Sequence, residues 1–285
     1  MQIKRKPDWL KVKLPNTSEF KQVKGTLTRY QLHSVCQEAM CPNITECFHS
    51  GTATFLILGD ACTRHCLYCN VQHRRPVSLD IEEPARLAAA VKELGLKYIV
   101  ITSVTRDDLP DGGASIFAEC IERLHAEVPK CKVEVLIPDF LGNKASLNLV
   151  IAAKPDVLNH NIEVVRRMFP SLRPQGDYQR SLELIRRAAA SDTISKSGFM
   201  VGVGETIDEV HELLEDLKAT GCERVTIGQY LQPSREHWTV DRYYTPEEFE
   251  NLKHYALSLG FTHVESGPLV RSSYHAAQAL NEELV

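Results

Sequence analysis

The sequence predicts an α/β fold: a partial (β/α)6 barrel of the TIM type, with N-terminal and C-terminal extensions covering its open mouth. Three observations lead to this prediction. From residue 53 onward, short apolar segments alternate six times with amphipathic helical segments. The length of 285 residues is typical of one α/β barrel, and a hydrophobic content of 43% suffices for its core. Strands that are each followed by a helix form a parallel sheet with right-handed crossovers.

The predicted elements follow each other in regular alternation. Strands are expected at 53–58, 97–102, 132–137, 157–161, 198–203 and 224–228, and a seventh strand at 261–266 is left open. Helices are expected at 82–94, 115–127, 145–153, 178–190, 207–220 and 246–259. The pattern Thr206-x-x-Glu209 is a capping box that opens the fifth of these helices. We expect three segments: an N-terminal extension over 1–50, the barrel over 51–260 and a C-terminal segment over 261–285.

Composition and charge exclude several classes of function. The net charge of −4 argues against nucleic acid as the main partner, and no apolar run approaches the length of a membrane span. The first six residues, Met1 to Lys6, are not followed by the apolar core of a secretory signal. We therefore expect a cytoplasmic protein, or one in an organelle matrix if a transit peptide was removed. In such reducing compartments clustered cysteines bind metals and do not form disulfides.

A trio of cysteines follows the first predicted strand, at the barrel end where active sites of such folds lie. Cys62, Cys66 and Cys69 have the spacing C-x3-C-x2-C, with the aromatic Tyr68 before the last cysteine. Zinc sites usually pair C-x2-C units with ligands elsewhere, so zinc is disfavoured, although zinc and metal-free buried thiols stay open as alternatives. Cysteine thiolates are the usual ligands of [4Fe–4S] clusters, and three of them leave one iron without a protein ligand.

A second trio precedes the barrel. Cys36, Cys41 and Cys47 have the spacing C-x4-C-x5-C, which is less diagnostic, but three cysteines in so short a segment favour a metal over buried thiols. Two such trios indicate two clusters. The remaining cysteines are isolated in sequence and are expected to be small buried hydrophobic residues: Cys120, Cys131 and Cys222.

The segment Cys62-Thr-Arg-His-Cys66-Leu-Tyr68-Cys69 resembles the signature of the radical S-adenosylmethionine (SAM) superfamily, C-x3-C-x-aromatic-C after the first barrel strand. This resemblance implies a [4Fe–4S] cluster whose open iron is chelated by the amino and carboxylate groups of SAM. One electron from the cluster then cleaves SAM to methionine and a 5′-deoxyadenosyl radical, which abstracts hydrogen from an unactivated C–H bond. The protein supplies position and the exclusion of water.

Within that superfamily the chain resembles the lipoyl synthase family. The motifs that carry the resemblance cover nearly the whole chain: Lys6-Pro-x-Trp-Leu10, Cys41-Pro-Asn-Ile-Thr-Glu-Cys47, Gly51-Thr-Ala-Thr54, Arg106-Asp-Asp-Leu-Pro-Asp-Gly112 and Gly267-Pro-Leu-Val-Arg271-Ser-Ser273-Tyr-His275. The resemblance implies insertion of two sulfur atoms, at C6 and C8 of a protein-bound octanoyl chain, with two SAM molecules consumed. It also implies that an auxiliary [4Fe–4S] cluster, held by the Cys36 trio, donates the sulfur. Its fourth ligand is then a serine oxygen, Ser273 by alignment of the motif, with Ser272 the less favoured choice.

The same resemblance implies the partners. The substrate is an octanoylated lipoyl carrier domain, of a dehydrogenase E2 subunit or of the glycine cleavage H protein. An electron donor such as ferredoxin or flavodoxin reduces the cluster, and neither nucleic acid nor a membrane is expected. Residues 1–30 carry eight Lys and Arg against two acids. This basic arm is read either as a solvated segment or as a docking element for an acidic carrier domain.

Polar residues at predicted strand ends are candidate SAM contacts. Thr102 and Ser103 end the second strand, where hydroxyl and backbone groups fit the SAM amino group. Arg173 fits the SAM carboxylate by bidentate pairing, and Tyr68 fits the adenine. Each of these residues is also readily explained as a turn, cap or core position. Three further side chains around the end of the fourth strand fit the ribose hydroxyls or the methionyl amine: Asn159, Asn161 and Glu163.

Two other functions are left open by the residues alone. One is another two-cluster radical SAM enzyme, resembling biotin synthase, which the Cys36 trio and the serine motif disfavour. The other is an electron-transfer protein with two clusters, which needs neither a complete barrel nor an open iron. The chain departs from the family pattern at Gln175-Gly176, where lipoyl synthases commonly have Gly-Ala. The contacts of that loop are therefore not carried over from the family.

Overall fold

A computed structural model describes residues 5–11, 18–38, 43, 52–76, 78–274 and 276. Its strands are β1 His33–Ser34, β2 Thr52–Ile57, β3 Ala61–Cys62, β4 Gln72–His73, β5 Tyr98–Ser103, β6 Lys132–Leu136, β7 Val157–Asn159, β8 Ile194–Val201, β9 Arg224–Gln229 and β10 His263–Gly267. Its α-helices are α1 Ser18–Arg29, α2 Val35–Glu38, α3 Glu83–Leu94, α4 Ala114–Glu127, α5 Lys144–Ala152, α6 Phe169–Leu172, α7 Tyr178–Ala189, α8 Ile207–Ala219 and α9 Pro246–Ser258. Single 3-10 turns lie at Asp8–Leu10, Phe140–Gly142 and Arg166–Met168.

The chain divides into two compact units. Unit A comprises Lys13–Arg64, Val71–Leu158 and His275–Val285, and unit B comprises Met1–Val12, His65–Asn70 and Asn159–Tyr274. The three-segment division predicted from the sequence, with boundaries at 50 and 260, stays a prediction. No helix of the described part of the chain has the length and apolar character needed to cross a membrane.

Unit A holds a mostly parallel sheet in the order β1–β2–β5–β6–β7. Strands β2, β5 and β6 pair in parallel, with Thr52 opposite Tyr98 and Tyr98 opposite Lys132, whereas β1 pairs antiparallel with β2. The strands are nearly continuous apolar runs because parallel strands are covered on both faces. Helix α3 buries Leu87 and Val91 completely, as its apolar spacing predicts.

Unit B holds the parallel strands β8, β9 and β10, so the seventh strand that the sequence left open is present. Its core packs helices α7, α8 and α9 against these strands through side chains such as Ile185, Leu214 and Phe249. Helix α8 opens with the predicted capping box, in which Thr206 Oγ1 accepts from the Glu209 N–H and the Glu209 carboxylate accepts from the Thr206 N–H.

Strand β8 differs from its predicted bounds of 198–203. It begins four residues earlier, at Ile194, and ends at Val201. Ser195 and Ser197 make the first part of the strand look polar in sequence. Both are nevertheless buried, because Ser195 Oγ donates to Gly221 O and Ser197 Oγ donates to His160 O. The strand stops where Gly202 enters the left-handed region with a φ of +97°. With this correction, the predicted mostly parallel α/β architecture is confirmed.

Candidate active site

The first cysteine of the barrel trio lies in unit A, just after strand β2. Leu58 and Gly59 turn the chain with φ values of +68° and +91°, and Cys62 follows in the short strand β3. The Cys62 thiol is free and partly exposed, and its Sγ accepts a hydrogen bond from the Arg64 N–H at 3.4 Å. A soft, accessible sulfur that accepts a backbone N–H is suited to a cluster iron.

The other two cysteines of the trio lie in unit B, in a segment held by main-chain hydrogen bonds. The Cys69 N–H donates to Cys66 O at 3.0 Å, and the intervening Leu67 donates to Leu172 O and accepts from Trp238, at 3.0 and 2.9 Å. Both cysteines are partly exposed. In the described part of the chain, no three His, Cys, Asp or Glu side chains form a group suited to a single metal ion.

Unit B also brings together three of the predicted SAM contacts and one serine of the C-terminal motif. Asn161 Nδ2 donates to Glu163 Oε1 at 3.2 Å and to Ser272 Oγ at 3.1 Å. Arg173, which is only 7% exposed, donates from Nη1 to Asn161 O at 3.1 Å. We call the set Asn161, Glu163, Arg173 and Ser272 the polar cluster.

Backbone strain and a desolvated carboxyl mark the half-buried Glu163 within the polar cluster. Its φ of +73° is in the left-handed region that a non-glycine residue rarely adopts. The backbone is held there by the Glu163 N–H to Gly198 O, at 3.0 Å, and by the Met200 N–H to Glu163 O, at 2.9 Å. Burial raises the pKa of the Glu163 carboxyl, and the nearby Arg173 charge opposes this shift only in part.

Tyr68 belongs to the same surroundings in unit B. Its ring packs against the apolar core of the unit. Burial raises the pKa of the Tyr68 hydroxyl well above its ordinary value, and the charge of Glu163 adds to the effect. The tyrosine is therefore a neutral, apolar surface next to charged partners.

The remaining strand-end candidates differ in how their hydroxyls and amides are used. In unit A, Thr102 Oγ1 donates to Leu136 O at 3.0 Å, whereas the buried Ser103 Oγ has no hydrogen-bond partner among the described residues. In unit B, Asn159 is the last residue of β7 and is fully buried. Ser103 therefore retains more capacity to bind a ligand than Thr102 does.

The C-terminal serine motif lies directly on strand β9 in unit B. A turn is closed by the Tyr274 N–H to Arg271 O at 2.8 Å and carries the two serines at its centre. Ser272 Oγ is engaged by Asn161, and Ser273 is partly exposed. An added Cβ on Gly228 would come within 2.3 Å of Val270 O, so only glycine lets the segment lie this close.

The Cys36 trio is described only in part. Cys36 is buried in helix α2 of unit A, and its N–H donates to Ser34 Oγ at 3.2 Å. Cys41 and Cys47 lie outside the described residues. The isolated cysteines are buried as predicted, and burial raises the pKa of the thiols to about 12 in two of them and well above the ordinary value in the third: Cys131, Cys222 and Cys120.

Sequence reasoning missed two residues that shape this site. Gln175 Oε1 accepts from the His65 N–H at 3.2 Å, which ties the loop after α6 to the cysteine segment in unit B. Its departure from the family pattern was the available signal. The Glu205 carboxylate accepts from the N–H groups of Gly202 and Val203, at 2.6 and 2.9 Å. A Gly-x-Gly-Glu run directly after a strand was its signal.

Two family profiles match this chain. The profile described as the radical SAM superfamily matches residues 56–217. The profile described as the N-terminal domain of lipoyl synthase of the radical SAM family matches residues 1–41.

Curated relatives and solved structures agree with these profiles. The lipoyl synthase of Rubrobacter xylanophilus is 53% identical over 95% of this chain and 85% of its own length. The lipoyl synthase of Caldicellulosiruptor bescii is 53% identical over 97% and 96%, and that of Symbiobacterium thermophilum is 54% identical over 96% and 86%. Streptococcus suis SuiB bound to S-adenosylmethionine aligns with a TM-score of 0.60 at 11% identity, over 82% of this chain and 57% of that one. HydG, a maturase of the [FeFe]-hydrogenase, aligns with a TM-score of 0.56 at 12% identity, over 94% and 79%.

These structural likenesses show the fold, the partial barrel of radical SAM enzymes. The sequence identities extend along nearly the full length of the chain. This chain therefore belongs to the lipoyl synthase family of the radical SAM superfamily, a family of sulfur-inserting enzymes.

Proposed function

We propose that this chain inserts two sulfur atoms, at C6 and C8, into an octanoyl chain that is amide-linked to a lysine of a lipoyl carrier domain. The observation that carries the proposal is the identity of 51–54% to lipoyl synthases over almost the entire chain. Both cysteine trios and the serine motif lie within that matched length. The reaction requires activation of unreactive C–H bonds, which is the chemistry that radical SAM enzymes perform.

The residues proposed to hold the SAM-cleaving [4Fe–4S] cluster are Cys62, Cys66 and Cys69. Their donor chemistry fits the cluster, because all three are partly exposed thiols and Cys62 already accepts an N–H hydrogen bond. When bound, this cluster supplies the electron that cleaves SAM and so starts hydrogen abstraction. The task left to the chain is to orient SAM and to exclude water.

The polar cluster is the proposed binding site for the methionyl and ribose groups of SAM. Arg173 is a buried cation suited to the carboxylate, and Glu163 is a carboxylate suited to the amino group. Asn161 Oδ1 is buried and accepts no hydrogen bond from the described residues, so it can accept from a ribose hydroxyl or the amine. An ammonium group beside Glu163 would stabilise the charged carboxylate and oppose the effect of burial on its pKa.

Three further SAM contacts are proposed with less support from their surroundings. Tyr68 offers an apolar ring surface for the adenine. Ser103 is favoured over Thr102 for the amino group, because the Thr102 hydroxyl already donates to Leu136 O. Asn159 is proposed as a second amide at the end of β7.

The auxiliary [4Fe–4S] cluster is proposed as the sulfur-supplying substrate, held by Cys36, Cys41, Cys47 and Ser273. Ser273 is proposed as the fourth ligand from the alignment of the motif and is partly exposed, whereas the Ser272 hydroxyl already accepts a hydrogen bond from Asn161. A serine oxygen is a harder ligand than thiolate and is less well matched to iron. We therefore expect it to leave readily when sulfur is withdrawn.

The partners follow from this reaction. The proposed protein substrate is an octanoylated carrier domain, of a dehydrogenase E2 subunit or of the glycine cleavage H protein, and a ferredoxin or flavodoxin is the proposed electron donor. The basic N-terminal arm is proposed to dock an acidic carrier. Clustered cysteines that bind metal belong to a reducing compartment, and we propose that the chain acts in the cytoplasm.

Product analysis on an octanoylated carrier domain tests the proposal. Anaerobically reconstituted chain with SAM and a reductant should form 5′-deoxyadenosine and a lipoyl group, and Cys62→Ala should form neither. A chain that forms 5′-deoxyadenosine but never a lipoyl group would be a different radical SAM enzyme. A chain that never cleaves SAM would fit the electron-transfer alternative.

A further inference from the structure

A buried arginine lies inside the cysteine motif, two residues after Cys62, and the proposed function gives it no role. Arg64 is 2% exposed and is held by two carboxylates of unit A. Its Nε and Nη2 donate to the two oxygens of Asp107 at 2.7 and 2.9 Å, and Nη2 also donates to Asp139 Oδ1 at 2.5 Å. A guanidinium is buried only when it is paired in this way, and its planar fork fixes the geometry of the pair.

Thr63, the residue before Arg64, is held by hydrogen bonds to the same part of unit A. The Thr63 N–H and Oγ1 both donate to Thr105 O, each at 3.0 Å, and Thr63 Oγ1 accepts from the Asp107 N–H at 3.1 Å. Thr63 and Arg64 are thus bonded through backbone and side chain alike to the loop that follows β5. This geometry presents the Arg64 N–H to Cys62 Sγ at 3.4 Å.

The carboxylate of Asp139 is presented by a strained loop. Phe140 and Leu141 have φ values of +46° and +51°, which non-glycine residues rarely adopt. Asp139 Oδ1 accepts from the Leu141 N–H at 3.1 Å within this loop. Such strain persists only where the surroundings impose it, and it is concentrated at functional sites.

A further set of contacts comes from the motif Arg106-Asp-Asp-Leu-Pro-Asp-Gly112, which has no role in the proposed reaction. Arg106 is bidentate to Asp108, at 2.8 and 2.9 Å, and its Nη1 donates to Leu58 O at 3.4 Å, where the cysteine loop begins. A Cβ on Gly112 would lie 2.9 Å from the Phe140 ring. The motif therefore contacts the start of the cysteine loop, Arg64, and the strained loop.

We propose that Arg64 is a positioning residue for the SAM-cleaving cluster, anchored by the Arg106–Gly112 motif and Asp139. By fixing the backbone of the cysteine loop, it keeps its own N–H directed at the Cys62 thiolate. Hydrogen bonds to the ligating sulfurs stabilise the more negative, reduced cluster and raise its reduction potential. The inference rests on the proposed function of Cys62 as a cluster ligand.

The test measures the reduction potential of that cluster alone. The background is the full chain with Cys36, Cys41 and Cys47 replaced by alanine, so that only the Cys62 trio binds iron. Two variants are made singly in this background. Arg64→Lys keeps the positive charge but loses the bidentate guanidinium, and Asp107→Asn keeps the side-chain shape but loses the carboxylate charge. Arg74→Lys is the matched control, because Arg74 pairs with Asp60 at 2.6 and 2.7 Å in the same unit but is 45% exposed.

Anaerobic potentiometric titration followed by electron paramagnetic resonance should give a lower potential for Arg64→Lys and Asp107→Asn than for the background. The Arg74→Lys control should have the same reduction potential as the background. Equal potentials in all four proteins would overturn the proposal, even if the variants unfold at lower temperature without the cluster, because that pattern marks a purely structural arginine.

Thr63→Val serves as an additional variant for the case in which Arg64→Lys does not fold. It removes the hydroxyl between Thr105 and Asp107 and leaves the buried ion pairs intact. It should lower the potential as well, and an unchanged potential in both Thr63→Val and Asp107→Asn would overturn the proposal. A background protein that holds iron but does not cleave SAM would instead refute the proposed function, and this inference with it.

Discussion

Gly228→Ala tests whether the C-terminal segment must lie directly on strand β9. The new Cβ would stand 2.3 Å from Val270 O, and ordinary van der Waals contact begins at 3.4 Å, so the carbonyl must retreat by 3.4 − 2.3 = 1.1 Å. Val270 O is a backbone atom, and the Val270 N–H is hydrogen-bonded to Gly267 O at 3.1 Å. The carbonyl therefore cannot move alone, and the adjoining turn with Ser272 and Ser273 must shift with it. Overpacking of this kind costs about 1–3 kcal/mol.

The consequence for activity follows from the same displacement. A misplacement of about 1 Å in a positioned group costs on the order of 10²-fold in rate. We therefore expect Gly228→Ala to form the lipoyl group about 100-fold more slowly, and SAM cleavage to 5′-deoxyadenosine to fall as well, because Ser272 contacts the polar cluster. Both products are quantified by mass spectrometry in one anaerobic reaction, and urea unfolding of the cluster-free chain gives the stability change.

Gly25→Ala is the matched control for this experiment. Gly25 lies within helix α1, and an added Cβ there would have nothing within 4 Å. Alanine should stabilise the helix by about 0.5–1 kcal/mol and leave both products unchanged. If Gly228→Ala formed the lipoyl group as fast as Gly25→Ala, the placement of the serine motif on β9 would be wrong.

Three further predictions concern single side chains. Burial raises the pKa of the Glu163 carboxyl above its ordinary value, so the folded state favours the neutral carboxyl. The stability that this preference gives is present at low pH and is lost as pH rises through the folded pKa. Glu163→Gln should therefore gain stability over the unsubstituted chain between pH 4 and pH 8 in urea unfolding without SAM, and a pH-independent difference would contradict this. Ser273→Ala should abolish lipoyl formation, whereas Ser272→Ala, which loses only the hydrogen bond from Asn161, should reduce it; the opposite ranking in product assays would identify Ser272 as the ligand. Thr245→Ala removes a capping box at the start of α9 and should cost about 0.5–2 kcal/mol, while equal unfolding midpoints would show that the cap is dispensable.

The elements of the fold were predictable because their patterns are local. Parallel strands such as Tyr98–Ser103 are apolar along their length, and the helices show apolar faces, so their bounds agree with the prediction within one residue at most ends. The early part of β8 was not predictable, because Ser195 and Ser197 find their partners far away in the chain. Polar residues in that position carry no local signal of burial.

The candidate site divides in the same way. The spacing of Cys62, Cys66 and Cys69 is a local signal, so these cysteines could be predicted as cluster ligands from sequence, and that stays a prediction. The contact between Asn161 and Ser272 joins residues 111 positions apart, so no window of sequence contains it. In sequence Arg64 looks like a surface charge. Its burial depends on carboxylate partners that are distant in the chain, one of them 75 residues away.

We propose that this chain uses two clusters, one to cleave SAM and one to supply sulfur. Anaerobic reconstitution followed by iron and sulfide analysis tests it most directly, with the unsubstituted chain compared to the variant in which Cys36, Cys41 and Cys47 are alanine. We expect about eight irons and eight sulfides in the unsubstituted chain and about four of each in the variant, with 5′-deoxyadenosine formed by both proteins and the lipoyl group only by the unsubstituted chain. A variant that holds about four irons and still forms the lipoyl group would contradict it.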